Sequence, residues 1–142
     1  MRRYCAVVVL LSLAACSASD PARITEEDSR PYAAIAPDET IRFTGTEPFW
    51  GGEVAGETLR YTTPENMEGT TIDVRRFAGM NGLGFSGTLD AAPFDLAITP
   101  GQCSDQMSDR SYPYIATLRI GDETRNGCAY TEAQPFIGSD MP

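Results

Sequence analysis

The sequence predicts an all-β fold, either a small antiparallel meander barrel or a strongly curled sheet of about seven or eight strands, stapled by one disulfide. Two observations predict the sheet. From residue 41 onward, short segments that alternate apolar and polar residues follow one another across turns rich in Gly, Pro and Asp. No window carries a long apolar period of 3.6 residues, so helices are not expected. A third observation, the cysteine pair Cys103 and Cys128, predicts the disulfide.

The strand-forming segments follow in chain order, and most pair with a neighbour as a hairpin. The predicted strands are Ile41–Thr44, Phe49–Val54, Thr58–Thr63, Thr70–Phe77, Leu83–Leu89, Phe94–Thr99, Tyr114–Ile120 and Thr124–Tyr130. Hairpin turns are expected at 55–57, 90–93 and 121–123, and a flexible reversal at 79–82. Closure of such a meander would remove exposed strand edges, which invite aggregation.

The predicted core consists of large apolar side chains on these strands, in a domain large enough for one core and too small for two. Its members are Phe43, Trp50, Leu59, Ile72, Phe85, Leu89, Phe94, Leu96, Ile98, Ile115, Leu118 and Ile120. Within Thr70–Phe77, strand alternation places Ile72 and Val74 on one side, with Phe77 as a candidate third member.

The N-terminal residues predict a targeting segment over 1–15. Arg2 and Arg3 precede the apolar run 6–13, which is too short to cross a bilayer as a permanent helix. The following Leu13-Ala14-Ala15-Cys16 resembles the bacterial lipobox, which implies that Cys16 is lipidated and begins the mature chain. The alternative is an ordinary secretory signal with an incidental cysteine.

Several acyl chains on Cys16 would anchor the protein stably, since two or more chains suffice where one gives only marginal binding. The resemblance therefore implies a bacterial cell-envelope protein that faces the periplasm. In enteric bacteria, an Asp after the cysteine favours retention in the inner membrane. Because Ser17 stands at that position, the outer membrane is favoured.

The chain outside the predicted strands divides into a tether and a tail. Residues 16–40 carry the lipidated cysteine followed by Ala, Ser, Pro, Asp and Glu, the composition of a flexible tether. The globular domain is predicted over 41–130. The polar, Pro-containing segment 131–142 is expected to be a loose C-terminal tail.

Cysteine use agrees with this location. Cys5 leaves with the signal peptide and Cys16 is taken by lipid, so Cys103 and Cys128 remain as one pair in an oxidising compartment. A disulfide that closes a loop of this length contributes on the order of 3 kcal/mol in the chain-entropy model.

The charge is strongly acidic. All 11 basic residues are Arg, against 20 Asp and Glu, and the formal net charge of -9 becomes -11 once Arg2 and Arg3 are removed. Such a surface should repel nucleic acid. It either attracts a basic partner or serves only solubility.

The absence of His and Lys excludes several common catalytic mechanisms. Without His there is no His-based triad, imidazole ligand or His general base, and without Lys there is no Schiff base. Carboxylates, Tyr, Ser and Arg remain, and a carboxylate pair could hydrolyse glycosides. Nothing in the sequence marks a cleft for such a pair. The protein is therefore expected not to be an enzyme, and no cofactor is predicted.

The first candidate site is the loop Cys103–Arg110. The spacing of Asp105 and Asp109 would put both carboxylates on one side of a helical turn, with Arg110 able to pair with either. The side chains in this loop either cap backbone N–H groups in consecutive turns or hold a hard cation such as Ca²⁺, with Asp122 or Glu123 adding oxygens. Capping is the preferred interpretation, and no metal ligand is assigned.

Aromatic residues mark two further candidate contacts. Tyr112 and Tyr114 either pack at the rim of the core or form a binding face. In the segment Glu47–Trp50, Phe49 and Trp50 must point to opposite faces of their strand, so one of them is exposed or covered by the tether. An exposed aromatic beside Glu47 could contact a ligand or partner.

Several motifs resemble a family of small bacterial envelope lipoproteins that have no established activity. They are GTEPFW (45–50), Leu59-Arg60-Tyr61 with Thr63-Pro64-Glu65, Phe85-Ser86-Gly87, CSDQMSDRSYPY (103–114) and Gly127-Cys128-Ala129.

More distantly, a lipobox before a small β domain is similar to META domains and to membrane-bound inhibitors of c-type lysozyme. That likeness implies an eight-stranded or META-type β fold. The nearest counterpart of the inhibitors' Ser-Gly motif is Ser86-Gly87-Thr88, which lacks the basic residue.

These observations lead to three expectations of function. The first is a lipid-anchored binding module without catalysis, whose partner is a basic envelope protein such as a lysozyme. The second is a module that binds a small molecule in the barrel mouth or a cation at Asp105 and Asp109. The third is a carboxylate-dependent hydrolase. A hollow barrel interior would point to a small-molecule ligand.

Overall fold

A computed structural model describes residues 30–139 of the chain. The expected signal peptide and the lipidation site at Cys16 lie outside these residues. Nine antiparallel strands form one curled sheet, so the predicted all-β fold is confirmed, with slightly more strands than expected. The strands are β1 (Ile41–Thr46), β2 (Phe49–Ala55), β3 (Thr58–Thr63), β4 (Asn66–Asp73), β5 (Arg75–Gly79), β6 (Gly82–Leu89), β7 (Ala92–Ser104), β8 (Ser111–Ile120) and β9 (Glu123–Thr131).

The sheet has the strand order β4-β3-β2-β1-β9-β8-β7-β6-β5, so β9 returns to pair with β1. The predicted strand Thr70–Phe77 is wrong, because it is two strands separated by Val74. The Val74 N–H donates to the Glu57 carbonyl over 2.8 Å. Strand β4 then pairs with β3, whereas β5 pairs with β6. The chain thus runs directly from one edge of the sheet to the other, which curls the sheet into a half-barrel.

The concave face of the sheet is filled by apolar side chains. The core includes the predicted members Phe43, Trp50, Leu59, Ile72, Phe85, Phe94, Leu96, Ile98 and Leu118, and Leu89 and Ile120 pack against it half-buried. Ile35, Ile41, Val54, Tyr61, Val74, Leu83, Tyr114, Ala116 and Ala129 complete it.

The assignment of Ile115 to the core and the candidate placement of Phe77 beside Ile72 and Val74 are both wrong, and strand alternation explains each. Ile115 is 37% exposed, since Tyr114 and Ala116 on either side of it face the core. Phe77 is 67% exposed, since Arg76 takes the inward position on β5. The Arg76 guanidinium donates to the Ile35 carbonyl over 3.0 Å.

The described part of the expected tether, residues 30–40, lies on the sheet. Ile35 is buried in the core, and the Tyr32 N–H donates to the Gly79 carbonyl over 2.7 Å. The described part of the expected loose tail also contacts the sheet. Ser111 and Ile137 exchange two backbone hydrogen bonds of 2.8 Å. The folded unit therefore extends on both sides of residues 41–130.

The predicted disulfide joins Cys103 to Cys128, with 5.6 Å between their Cα atoms. Strand β8 lies between β7 and β9, so the bond links two strands that are not neighbours in the sheet. The register of β7 shifts between Pro100 and Cys103, and beyond this shift Cys103 pairs with Tyr112 of β8. Gly101 lies within the shift, where a Cβ would be 2.9 Å from the Ile115 side chain.

Candidate functional site

The loop after β7 is organised by the carboxylate of Asp105. Its Oδ1 accepts from the N–H groups of Met107 and Ser108 at 3.0 and 2.9 Å. Its Oδ2 accepts from the hydroxyls of Ser108 and Tyr112 at 2.7 and 3.2 Å. Burial on its own would raise the pKa of Asp105, but these hydrogen bonds outweigh it and lower the pKa to about 2. The carboxylate therefore caps the loop, as the preferred interpretation held.

The proposed cation ligands do not come together. Asp122 and Glu123 stand where β8 turns into β9, at the other end of β8 from this loop. The Glu123 carboxylate is held by Arg125 at 2.8 Å. Within residues 30–139, no group of three Cys, Asp or Glu side chains could hold a metal ion. Both oxygens of Asp105 accept hydrogen bonds from the chain itself.

The C-terminal segment covers the far side of the same loop. The Arg110 Nε donates to the Ser139 carbonyl over 3.2 Å, and its guanidinium carbon lies 4.5 Å from the centre of the Phe136 ring. Phe136 also packs against Tyr112 and Tyr130, with ring centres 5.5 and 5.0 Å away. Arg110 and Tyr112 therefore hold the C-terminal segment on the domain. Asp109 is exposed on the loop.

Neither candidate tyrosine forms a binding face, since both side chains are buried. Tyr114 points into the core, where its hydroxyl accepts a hydrogen bond of 3.3 Å from Tyr32. Burial raises the pKa of the Tyr114 hydroxyl well above its ordinary value, and Tyr32 adds to the effect. Ser86, in the Ser-Gly segment, donates to Asp95 over 2.7 Å and is likewise engaged within the sheet.

Trp50 and Phe49 point to opposite faces, as expected. Trp50 is only 3% exposed, so it is a core residue and not itself a surface contact, whereas Phe49 is 53% exposed. The indole lies against Gly45, where a Cβ would overlap the indole Nε1. This N–H is buried and has no hydrogen-bond partner among the described residues. Glu47 is exposed on the turn that precedes Phe49.

An apolar groove lies beside Phe49, and the sequence pattern did not indicate it. We call it the Phe49 groove. Its volume is about 450 Å³, and its lining includes Phe43, Phe49, Trp50, Pro64 and Met67 around the backbone of Gly51 and Gly52. Met67 is 74% exposed. The two glycines were the available signal, because adjacent residues without side chains leave a strand bare on both faces.

The glycine floor of this groove is required by the fold. A Cβ at Gly52 would overlap the Arg60 carbonyl oxygen, and one at Gly51 would lie 2.9 Å from the Phe43 carbonyl oxygen. The φ of Gly52 is +149°, a backbone conformation that other residues rarely adopt. The groove is therefore a built feature of β1, β2 and β3.

Four turns at one end of the sheet each carry an exposed carboxylate. Strands β1, β3, β6 and β8 run in the same direction, because neighbouring strands are antiparallel throughout. The turns that follow these strands contain Glu47, Glu65, Asp90 and Asp122. We call this the acidic end. None of these four carboxylates forms an ion pair with an arginine within residues 30–139.

Contacts within the acidic end bring its turns together. The Gly121 N–H, on the turn before β9, donates to the Pro93 carbonyl over 2.9 Å and so links that turn to β7. Arg125 donates to the Tyr61 hydroxyl over 2.7 Å, which links β9 to β3, two strands that are not neighbours in the sheet. Glu65 is close enough to act electrostatically on both groups. Burial raises the pKa of Tyr61, whereas the charge of Arg125 opposes the rise.

The opposite end of the sheet is covered by the chain itself. Tyr32 and Ile35 pack there before β1, and the Gln134 side chain donates to the Ala34 carbonyl over 3.1 Å. The N- and C-terminal segments thus meet at this end. The acidic end and the Phe49 groove lie away from these terminal segments.

Comparison of the chain with family models, with curated proteins and with solved structures finds no match in any of the three. Over residues 30–139, the chain forms no helix of the length and apolar character needed to cross a membrane.

Proposed function

We propose that this chain is a bacterial cell-envelope lipoprotein, anchored through Cys16 and facing the periplasm, whose β domain is a non-catalytic binding module for a basic protein. A c-type lysozyme is an example of such a partner. The outer membrane is the preferred location. The observation that carries the binding part is the acidic end, where four carboxylates project from adjacent turns without an arginine partner in the described domain.

The filled interior supports a surface site over an internal ligand. Large side chains occupy the concave face, among them Phe85, Phe94 and Tyr114. A small molecule would therefore have to bind at the surface, as would a protein partner. The cation alternative has also lost support, because Asp105 serves as a cap.

Negative charge on exposed turns favours a basic protein partner because it acts at a distance. Exposed carboxylates that form no ion pair generate a negative potential that accelerates encounter with a basic surface. They stay hydrated until the partner arrives, so their desolvation cost is low at the rim of an interface. The interaction is therefore expected to weaken as salt screens it over about 10 Å at 0.1 M.

The experiment measures binding of the soluble domain, residues 30–142, to an immobilised c-type lysozyme at several salt concentrations. The proposal predicts saturable binding at low salt that weakens steeply as salt rises. An acidic protein of similar size and net charge but unrelated sequence serves as the control. Absence of binding, or binding equal to that of the control, would contradict the proposal.

A further inference from the structure

The Phe49 groove combines exposed apolar side chains with an acidic setting. Phe49 and Met67 are 53% and 74% exposed, and Pro64 lies between them in the chain. Exposing such side chains in water is unfavourable, at about 25 cal/mol for each Å² of apolar surface. Scattered apolar residues are common on protein surfaces, but these line one groove.

The groove adjoins two of the carboxylates of the acidic end. Glu47 lies two residues before Phe49, on the turn between β1 and β2. Glu65 follows Pro64 directly, on the turn between β3 and β4. Because both turns are at the same end of the sheet, an occupant of the groove would meet negative charge on either side.

This charge decides between possible occupants. A second copy of this chain would bring like charges together, because the chain has a formal net charge of -9. An acidic or phosphorylated segment would be repelled for the same reason. The volume of about 450 Å³ is within the range of about 300–1,000 Å³ found for sites that hold small ligands, so it can take a bulky side chain.

We propose that the Phe49 groove receives one bulky apolar side chain of a basic protein, with Arg or Lys residues on either side of it contacting Glu47 and Glu65. This rests on the proposed function and locates its anchor. The acidic end supplies attraction and the groove supplies specificity, since apolar anchors in pockets carry most of the binding energy in many interfaces.

Trp50 provides a direct readout of this groove. It is the single Trp of the chain and contributes to the groove lining, although its side chain is buried. A side chain that enters the groove changes the surroundings of the indole, and so changes its fluorescence emission. A ligand held only by the acidic turns leaves that emission unchanged.

The experiment titrates the soluble domain, residues 30–142, with two synthetic Arg-rich peptides that contain no Trp and differ only in a central Phe or Ala. The wild-type domain is expected to bind the Phe peptide at least about tenfold more tightly, a difference of about 1.4 kcal/mol. Only the Phe peptide should shift the Trp50 emission.

Substitutions then locate the site. Phe49→Ser and Met67→Ser should each reduce the preference for the Phe peptide to less than about threefold, because each removes part of the groove wall. The matched control is Phe77→Ser, since Phe77 is also an exposed phenylalanine and lies on β5, outside the groove lining. It should keep the full preference. Thermal melting verifies that each variant is folded.

The outcomes separate this inference from the proposed function. If the wild-type domain binds both peptides equally, or if Phe49→Ser and Met67→Ser keep the preference, the groove assignment is overturned while the electrostatic proposal stands. If the domain binds neither peptide nor the lysozyme, the proposed function itself is overturned.

Discussion

At the scale of single residues, Asp105 shows how a sequence that suggests a cation site can instead encode a cap. Three donors from its own loop and the Tyr112 hydroxyl on β8 surround the carboxylate, so the negative charge is stabilised by the chain itself. The low pKa of about 2 is the consequence of this hydrogen bonding.

Replacing Asp105 by Asn tests this role. The folded pKa of Asp105 is below its ordinary value of 3.8, so its contribution is complete at neutral pH and is lost as the pH falls from about 4 towards 2. Asp105→Asn should lower the free energy of unfolding by about 1–2 kcal/mol at pH 7, after allowance for solvent screening.

Denaturant unfolding at a series of pH values measures the difference between the two proteins. The difference should shrink as the pH approaches 2. Asp109→Asn is the control, because Asp109 is exposed on the same loop, and it should change stability little. An Asp105→Asn variant as stable as wild type at pH 7 would refute the capping role.

The same scale shows what the sequence could and could not predict at the candidate site. Alternation alone required Phe49 and Trp50 to face opposite ways, and it was right. It could not say which residue was inside. That choice follows from Gly45, which is the cross-strand partner of Trp50 and leaves space for the indole. Such pairing depends on register, which only the folded sheet reveals.

At the scale of elements, the disulfide joins β7 to β9, two strands that do not pair with each other in the sheet. Beyond it, the loop is also held by the Thr46 hydroxyl, which donates to the Asp105 carbonyl over 3.3 Å. The disulfide therefore fixes the loop position as well as the chain closure.

Loss of the disulfide should destabilise the domain. Cys103→Ser combined with Cys128→Ser should lower the free energy of unfolding by about 3 kcal/mol, because the loop closed by the bond gains freedom in the unfolded chain. Thermal or denaturant unfolding measures the change. Reduced wild-type protein should behave like the double variant, and equal melting with and without reductant would contradict the prediction.

Elements were predicted well where hairpins are local and less well where the sheet is curled. The pairing of β2 with β3 across Gly56–Glu57 follows from the turn residues and the flanking alternation. The division of Thr70–Phe77 at Val74 could not be predicted from local sequence. The Val74 N–H bonds to the carbonyl of Glu57, seventeen residues earlier in the chain. The length of β7 was also missed, because the strand continues through a register shift between Pro100 and Cys103 to Ser104, beyond the predicted end at Thr99.

At the scale of the whole molecule, the two ends of the sheet differ in character. One end is covered by the N- and C-terminal segments, and the other carries the acidic turns beside the Phe49 groove. Residue 30, where the described chain begins, leads to Tyr32 and Ile35 at the covered end. The acidic end therefore lies at the other end of the sheet from the described N-terminal segment.

The central claim at this scale is that the position of the exposed carboxylates, more than the total charge, determines binding to a basic protein. If the acidic surface served only solubility, neutralising any set of exposed carboxylates would have the same effect on binding to a basic protein. If the acidic end is the binding surface, position decides the effect. The covered end offers a matched set, because Asp38, Glu57 and Asp73 are also exposed there.

The most direct measurement is the affinity of three proteins for a c-type lysozyme across a range of salt concentrations. They are the wild-type domain, the variant Glu65→Gln/Asp90→Asn/Asp122→Asn, and the control Asp38→Asn/Glu57→Gln/Asp73→Asn, which has the same net charge as the variant. The acidic-end variant should bind at least about tenfold more weakly at low salt and depend less on salt, whereas the control should stay within about twofold of wild type. Equal loss of affinity in the two variants would contradict the assignment of the acidic end as the binding surface.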